Sequence, residues 1–234
     1  MQNIVTRPIV VLLDVYETLL DMSPVAKKVN KILNNKLGYT IWFELLLQYC
    51  FLSNATDSFH DFNTIASSTL KMSGHRLHEK VTDDDVENTL TALRYLPVHE
   101  DVQEGLSALY DLGLRIVALT NIPEDTVRER METTGLISYF ERLLTAEKIG
   151  KYKPAKEVYE WAAKELKVEP SDVLVVTSHG WDVAGADNAG MLTAYKKQER
   201  QMLYSLSNDP DLQIKDLIEL GNVLKKLPVI QRNF

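Results

Sequence analysis

The hydrophobic positions of this 234-residue chain change period twice. Ile9 to Leu13 is an unbroken apolar run, β-branched in its first three residues, which predicts a strand buried on both faces and ending at Asp14. From Ser23 to about Leu96 the period is helical instead. Val25, Val29, Ile32 and Leu33 mark one helix, Trp42, Leu45, Leu46 and Tyr49 a second, and segments 61–72 and 83–93 two more. Ser23 before Pro24 reads as an N-cap and first helical residue, Ser73-Gly74 as a loop, and Asp83-Asp84-Asp85 as the acidic first turn of a helix. No strand-like alternation interrupts this stretch, so an all-helical block is expected after the first strand.

Beyond Pro97, which pushes the residue before it out of helical geometry, apolar runs alternate with helical patterns. Helices are expected over 101–112, 124–135 and 155–167, and from Asp182 through Asn188 to Gly190. Strands are expected over 114–119, 140–144, 173–176 and 192–195, and Leu212 to Leu224 carries a closing helical pattern. Strands and helices in this alternation imply an α/β fold, a parallel sheet joined by right-handed crossovers. The expected organisation is a discontinuous core of residues 1–22 and 97–234, with a helical cap over 23–96.

Composition then narrows the function. A content of 45% apolar residues fills a core and a smaller unit. The net charge of -7, with no run of lysine or arginine, excludes a nucleic-acid binder or an anionic-membrane binder. Cys50 stands alone, so it forms no internal disulfide and fits no zinc spacing; it reads as a core thiol in a reducing compartment. The apolar run before Asp14 is too short for a leader or a membrane span, and the expectation is a cytoplasmic protein.

The chemistry gathers at the strand ends. Asp14 with Thr18, Thr120 with Asn121, and Thr177 to Asp182 each follow an apolar strand, and Lys153 lies between the second and last of these. In a parallel sheet such ends share one edge, where ligands bind. A carboxylate nucleophile at Asp14, a cation at Lys153 to hold it ionised, and a second carboxylate at Asp182 to fix the cation form a set suited to nucleophilic catalysis. Each alone has a plainer reading: Asp14 caps a turn, Lys153 is a surface cation, Asp182 is a helix N-cap, and Asn121 is a turn residue.

Asp14-Val15-Tyr16-Glu17-Thr18-Leu19, Leu119-Thr120-Asn121, Tyr152-Lys153-Pro154 with Tyr159, and Val176 to Asp182 resemble the four ordered motifs of the haloacid dehalogenase superfamily. The helical block sits where that superfamily carries its cap. Within it the chain is most similar to the L-2-haloacid dehalogenase (type II) branch, with its Asp-x-Tyr-x-Thr and Trp-Asp patterns. The resemblance implies a Rossmann-like core with helices on both faces of the sheet, and hydrolytic dehalogenation of a small anionic 2-haloacid. Asp14 is then the nucleophile and Lys153 and Asp182 its supports. Tyr16, Thr18, Thr120, Asn121, Tyr159, Thr177, Ser178, His179 and Trp42 are then the substrate-binding residues. No cofactor is implied for this chemistry, and a homodimer is.

The rival within the same superfamily is a Mg²⁺-dependent phosphatase, with Asp14, Tyr16 and Asp182 as the residues that would hold the ion. Tyr16 stands where the phosphatases carry an acid that protonates the leaving alcohol. A phenol of pKa about 10 is a poor proton shuttle at neutral pH, whereas a halide leaves without a proton. A third reading is a binding protein that kept the fold and lost the chemistry. Its motive is two departures from the branch pattern: Phe43 in place of an arginine after the cap tryptophan and Glu17 in place of glycine; His179 also stands where the branch often has asparagine. Glu17 either faces solvent or, turned inward, repels an anionic substrate.

Overall fold

A computed structural model describes residues 4–199 and 201–229. Among them β1 (Val10–Leu13), β2 (Arg115–Thr120), β3 (Arg142–Thr145), β4 (Val173–Thr177), β5 (Leu192–Lys196) and β6 (Leu212–Ile214) form one sheet in the order β3-β2-β1-β4-β5-β6. Every neighbouring pair is parallel. The chain steps outward from β1 to β3 on one side and from β4 to β6 on the other. The winding therefore reverses between β1 and β4, and a crevice opens at their carboxyl ends. Asp14 stands at that reversal, its N–H donating to the Val176 carbonyl at 3.0 Å.

Successive residues of a strand point to opposite faces, and both faces of β1 are covered. Val11 and Leu13 join α5 (Val102–Asp111), α6 (Glu124–Thr133) and α9 (Leu217–Lys225). Val10 and Leu12 join α7 (Lys156–Leu166) and α8 (Gly180–Asn188). Helices thus lie on both faces, as expected for an α/β core of this kind.

The segment expected to be all-helical forms α1 (Ser23–Ile32), α2 (Gly38–Thr56), α3 (Phe62–Arg76) and α4 (Asp83–Arg94). Their buried Trp42, Leu46, Phe62 and Leu70 share one apolar cluster with Tyr16, Leu19 and Leu20 below them. Polar ties join the two parts. Asn54 on α2 accepts from the Tyr152 N–H at 2.9 Å and donates to its carbonyl at 2.8 Å, and Glu147 accepts from the Phe62 N–H at 2.8 Å. The acidic start of α4 is as expected, completed by a reciprocal cap between Thr82 and Asp85.

Three local expectations are corrected. Leu212 to Ile214 is strand β6, and the closing helix starts at Leu217. Without β6, β5 would present unpaired backbone groups, and Leu212 and Ile214 are buried while Gln213 is exposed. Ser23 is the first residue of α1 instead of its cap, because the Asp21 carboxylate accepts from both its N–H and its hydroxyl, at 2.8 and 2.6 Å. Ser73-Gly74 continues α3, and Gly74 serves packing: a Cβ there would lie 2.5 Å from the Val81 side chain. Residues 1–3, 200 and 230–234 of the expected core unit lie outside the described residues.

Gly105 on α5 has the tightest such contact, since a Cβ would lie 2.3 Å from Leu217 Cβ on α9. Gly105→Ala should therefore destabilise the protein by about 1–3 kcal/mol through overpacking, although alanine is the better helix former. Urea unfolding measures this, and an unchanged or higher midpoint would deny that α5 and α9 approach so closely.

Candidate active site

The edge left open by the strand reversal collects charge. Asp14, one residue past β1, is 6% exposed and Lys153 1%. Lys153 Nζ lies 2.8 Å from Asp14 Oδ1 and 2.7 Å from Asp182 Oδ2, so one ammonium bridges two carboxylates. Thr18 donates to Asp14 Oδ2 at 2.8 Å and accepts from the Ser178 N–H at 3.0 Å, which joins the turn after β1 to the turn after β4. Tyr159 on α7 donates to Asp182 Oδ1. Gly185, one turn after Asp182 on α8, makes that contact sterically possible, since a Cβ there would lie 2.7 Å from the Tyr159 hydroxyl.

Asn121 holds Lys153 by its backbone: its Oδ1 accepts from the Lys153 N–H at 2.8 Å and its Nδ2 donates to the Lys153 carbonyl at 3.3 Å. The preceding residue, Tyr152, is held by Asn54 of α2. The lysine is thus aimed from the core and from the helical insert together.

Burial and charge oppose one another at these groups. Burial pushes the Asp14 carboxyl up, but the Lys153 ammonium, the His179 ring and the hydrogen bonds from Lys153 and Thr18 outweigh it and hold Asp14 below its usual range. Burial pushes Lys153 down, and Asp14 and Asp182 raise it above the ordinary lysine value. Burial, with Asp182 beside it, raises Tyr159, and burial raises Tyr16, so both phenols stay protonated. Cys50 is a buried thiol whose burial raises it too, in keeping with a core role.

Facing the bridge is a second group. His179 Nε2 lies 3.2 Å from the Tyr16 carbonyl oxygen and 3.6 Å from Asp14 Oδ2, while Nδ1 lies 3.7 Å from Glu17 Oε2. Its ring stacks on Trp181 with centroids 5.1 Å apart, and the Lys153 ammonium stands 5.7 Å from the Trp181 centroid. Glu17 has φ 61°, left-handed backbone unusual for a side-chain-bearing residue. It turns inward, accepting from the Tyr39 hydroxyl at 2.8 Å and from Gln201 Nε2 at 2.7 Å, while Gln198 donates to its carbonyl at 3.1 Å. An open cavity of about 640 Å³ lies over this side of the site.

Most residues singled out in the sequence meet here: Asp14, Thr18, Asn121, Lys153, Ser178, His179 and Asp182 within the hydrogen-bonded set, and Thr120 and Thr177 beneath it. Thr120 accepts from the Ile122 N–H at 3.2 Å and Thr177 from the His179 N–H at 3.1 Å, so both shape turns. Three side chains are placed otherwise. Trp42 does not line the cavity; it is fully buried within the helical insert and its Nε1 donates to the Ala66 carbonyl at 3.0 Å. Tyr159 is fully buried behind Asp182 and cannot touch a substrate. The Tyr16 ring points to the cap, its hydroxyl 3.4 Å from the Leu93 carbonyl, so only its backbone faces the site.

Other participants escaped the sequence reading. Lys196, at the end of β5, is buried and donates to the Thr18 carbonyl at 3.0 Å and to Asp101 at 2.9 Å. Gln198 and Gln201 follow it. Reading the fifth strand's end as the others were read finds Lys196 and Gln198; Tyr39, on a cap helix, carries no such signal.

Of the residues that would hold Mg²⁺, Asp14 and Asp182 share the Lys153 ammonium and accept from Thr18 and Tyr159 on their other oxygens, and the Tyr16 carbonyl faces the His179 ring. Mg²⁺ is held by carboxylates with several waters, and here one positive charge already stands between the two carboxylates. Among the described residues no cluster of three or more His, Cys, Asp or Glu side chains forms another metal site.

A parallel sheet wound from a central first strand, a helical insert after that strand, and two carboxylates bridged by a buried lysine at its edge define a Rossmann-like α/β enzyme core with a helical insert. The chain belongs to the haloacid dehalogenase-like hydrolase family, whose profile matches residues 10–190. Among characterised proteins it is 28% identical over 221 residues to (S)-2-haloacid dehalogenase 2 of Pseudomonas sp. strain CBS-3, covering 92% of this chain and 94% of that one. It is 24% identical over 223 residues to (S)-2-haloacid dehalogenase 4A of Burkholderia cepacia, covering 94% of each. The L-2-haloacid dehalogenase of Xanthobacter autotrophicus, solved with chloropropionic acid covalently bound, superposes with a TM-score of 0.84 at 22% identity, over 94% of this chain and 99% of that one.

Lys153→Met should cost about 3–5 kcal/mol, because it leaves two carboxylates buried without their cation. The pH dependence should also invert. In the wild type Asp14 is depressed below its unfolded value, so its contribution is full above about pH 4 and is lost as pH falls through the folded value. In Lys153→Met the Asp14 carboxyl, buried without its cation, should be raised, so the variant weakens as pH rises above about 4. Urea unfolding at pH 5 and pH 8 measures both, and parallel curves for the two proteins would refute the bridge.

Proposed function

We propose that this hydrolase cleaves a carbon–halogen bond, with Asp14 as nucleophile, in a small 2-haloacid or an isosteric derivative of one. The observation that carries the reading is the Lys153 bridge. It keeps Asp14 ionised with an ammonium in place of a metal ion, which suits displacement at carbon of a leaving group that needs neither metal nor proton. The Tyr16 side chain, turned away from the site, leaves no acid there to protonate a leaving alcohol, which disfavours the Mg²⁺-dependent phosphatase.

One Asp14 oxygen attacks the carbon that bears the halogen. The new C–O bond forms as the carbon–halogen bond breaks, and halide departs with the bonding electrons. Water then attacks the carbonyl carbon of the resulting ester. Lys153 and the Thr18 hydroxyl stabilise the oxyanion that develops there, and the water's proton is released to solvent. Collapse restores the Asp14 carboxylate and releases the hydroxy product. Asp182 and Tyr159 act through Lys153 as positioning residues, and Asn121 does so through the lysine's backbone.

In this reading α1 to α4, residues 23–96, are a cap that closes the crevice over the core. No cofactor takes part, and the enzyme works in the cytoplasm on small molecules, as a homodimer by its resemblance to the dehalogenases. A net charge of -7 without a basic run and a lone buried cysteine support the setting, and among the described residues no helix is long and apolar enough to cross a membrane.

Two measurements test the mechanism. Halide release from 2-chloropropionate or 2-chloropropionamide should proceed without added Mg²⁺ and fall by about 10⁴-fold in Asp14→Asn. In a single turnover with excess enzyme in H₂¹⁸O, the product oxygen should be unlabelled because it comes from Asp14. Labelled product in that first turnover, or halide release equal to the variant's, would sink the proposal.

A further inference from the structure

Glu17 is three residues from the nucleophile and its carboxylate is held inside the site. Its φ of 61° carries a steric cost for any residue with a Cβ. Such a conformation persists only where surrounding contacts hold it, and here the Tyr39 hydroxyl and the Gln201 amide take one hydrogen bond each. A carboxylate has about four acceptor positions; two are filled, and the His179 ring stands against the rest with Nδ1 3.7 Å from Oε2. The side chain is 17% exposed, and that exposure gives onto the 640 Å³ cavity.

The walls around it are aromatic. Tyr39 stacks on Phe43 with centroids 5.4 Å apart, Phe43 leans on His179 at 6.3 Å, and Trp181 stacks behind His179. Aromatic faces attract cations and polarised N–H groups and give nothing to a carboxylate. Lys27 is the one ammonium among the described residues that line the cavity, and it lies exposed on α1, where its charge acts on Asp21. An anionic group that enters this cavity meets the Glu17 charge in a partly buried setting, where repulsion is poorly screened.

We propose that Glu17 makes this cavity a subsite for a substrate that presents an N–H donor, an amide or an ammonium, beside its reacting carbon, and that it discriminates against the free carboxylate. The proposal rests on the reading of Asp14 as nucleophile only for the position of that carbon. The N–H group donates to Glu17, the aromatic walls pack against the small alkyl body, and the halogen-bearing carbon stands toward Asp14. Selection comes from two sources: an acceptor satisfied by the right ligand, and a like charge opposed to the wrong one.

Unreactive isosteres with methyl in place of chlorine separate binding from turnover. Titration calorimetry of the full-length wild type with isobutyramide, isobutylammonium and isobutyrate should give affinities for the first two at least tenfold above that for isobutyrate. Amide without ammonium, or the reverse, identifies which N–H class the subsite takes, and either supports the proposal. Glu17→Gln should abolish the advantage of the ammonium and raise isobutyrate binding. Glu17→Gly, which suits the left-handed backbone and so keeps the fold, should bring the three ligands to within about threefold. Isobutyrate binding as tightly as the others in the wild type, an order of affinities unmoved in both variants, or no binding of any of them would overturn the proposal. Halide release from the chlorinated compounds, compared between the wild type and Asp14→Asn at saturating substrate, reports on Asp14. An enzyme that binds the amide and releases no halide keeps the subsite and loses the dehalogenase reading.

Discussion

A single buried ammonium between two buried carboxylates is the constraint on which the rest of the structure depends. Taking Asp14, Lys153 and Asp182 out of water costs several kcal/mol per ion, and attraction offsets this only when the geometry is close and the remaining lone pairs are filled. The protein meets both conditions with parts from distant regions of the chain. The β1 turn supplies Asp14 and Thr18, α7 supplies Tyr159, α8 supplies Asp182, and the turn after β2 supplies Asn121. The hydrogen bonds of Asn54 to Tyr152 bring the helical insert into the same assembly, so displacing the cap displaces the lysine's support. Stability and nucleophile ionisation are therefore two consequences of one arrangement.

Sheet topology explains why that arrangement is possible. With β1 central and the winding reversed between β1 and β4, the two strands that carry the most polar ends are adjacent, and their turns meet through Thr18 and Ser178. A nucleophile on an edge strand would be open to water, where neither Lys153 nor Asp14 would be shifted from its ordinary value by burial or by the other. The glycines at 105 and 185 serve the same end from behind, admitting Leu217 and Tyr159 where a Cβ would exclude them.

What was legible in the sequence follows from which signals are local. Asp14, Asn121 and Asp182 were visible because a buried parallel strand is a continuous apolar run with a sharp polar end. The helical insert was visible because its period persists over some seventy residues. β6 was not visible, because a three-residue edge strand shows a single alternation, Leu212-Gln213-Ile214, which a helical pattern accommodates equally well. The role of Trp42 was misread because its hydrogen bond to the Ala66 carbonyl lies across two helices, a pairing that local periodicity does not encode. Tyr159 was found as a residue and misplaced as a contact, since spacing gives no indication of which side of Asp182 a ring will occupy.

Glu17 is the case where local rule and structure conflict, and the conflict is informative. A left-handed position after a nucleophile turn favours glycine, and a charged residue there adds strain and, next to Asp14, a second negative charge. Three separate elements nevertheless converge on it: Tyr39 from α2, Gln198 and Gln201 from the segment after β5, and His179 from the turn after β4. A side chain that merely tolerated its position would be free to turn to solvent and escape the repulsion. The compensation lies in what the carboxylate does to the cavity: it fixes an acceptor and a negative potential on the path to the nucleophile, and so converts a general displacement site into a selective one.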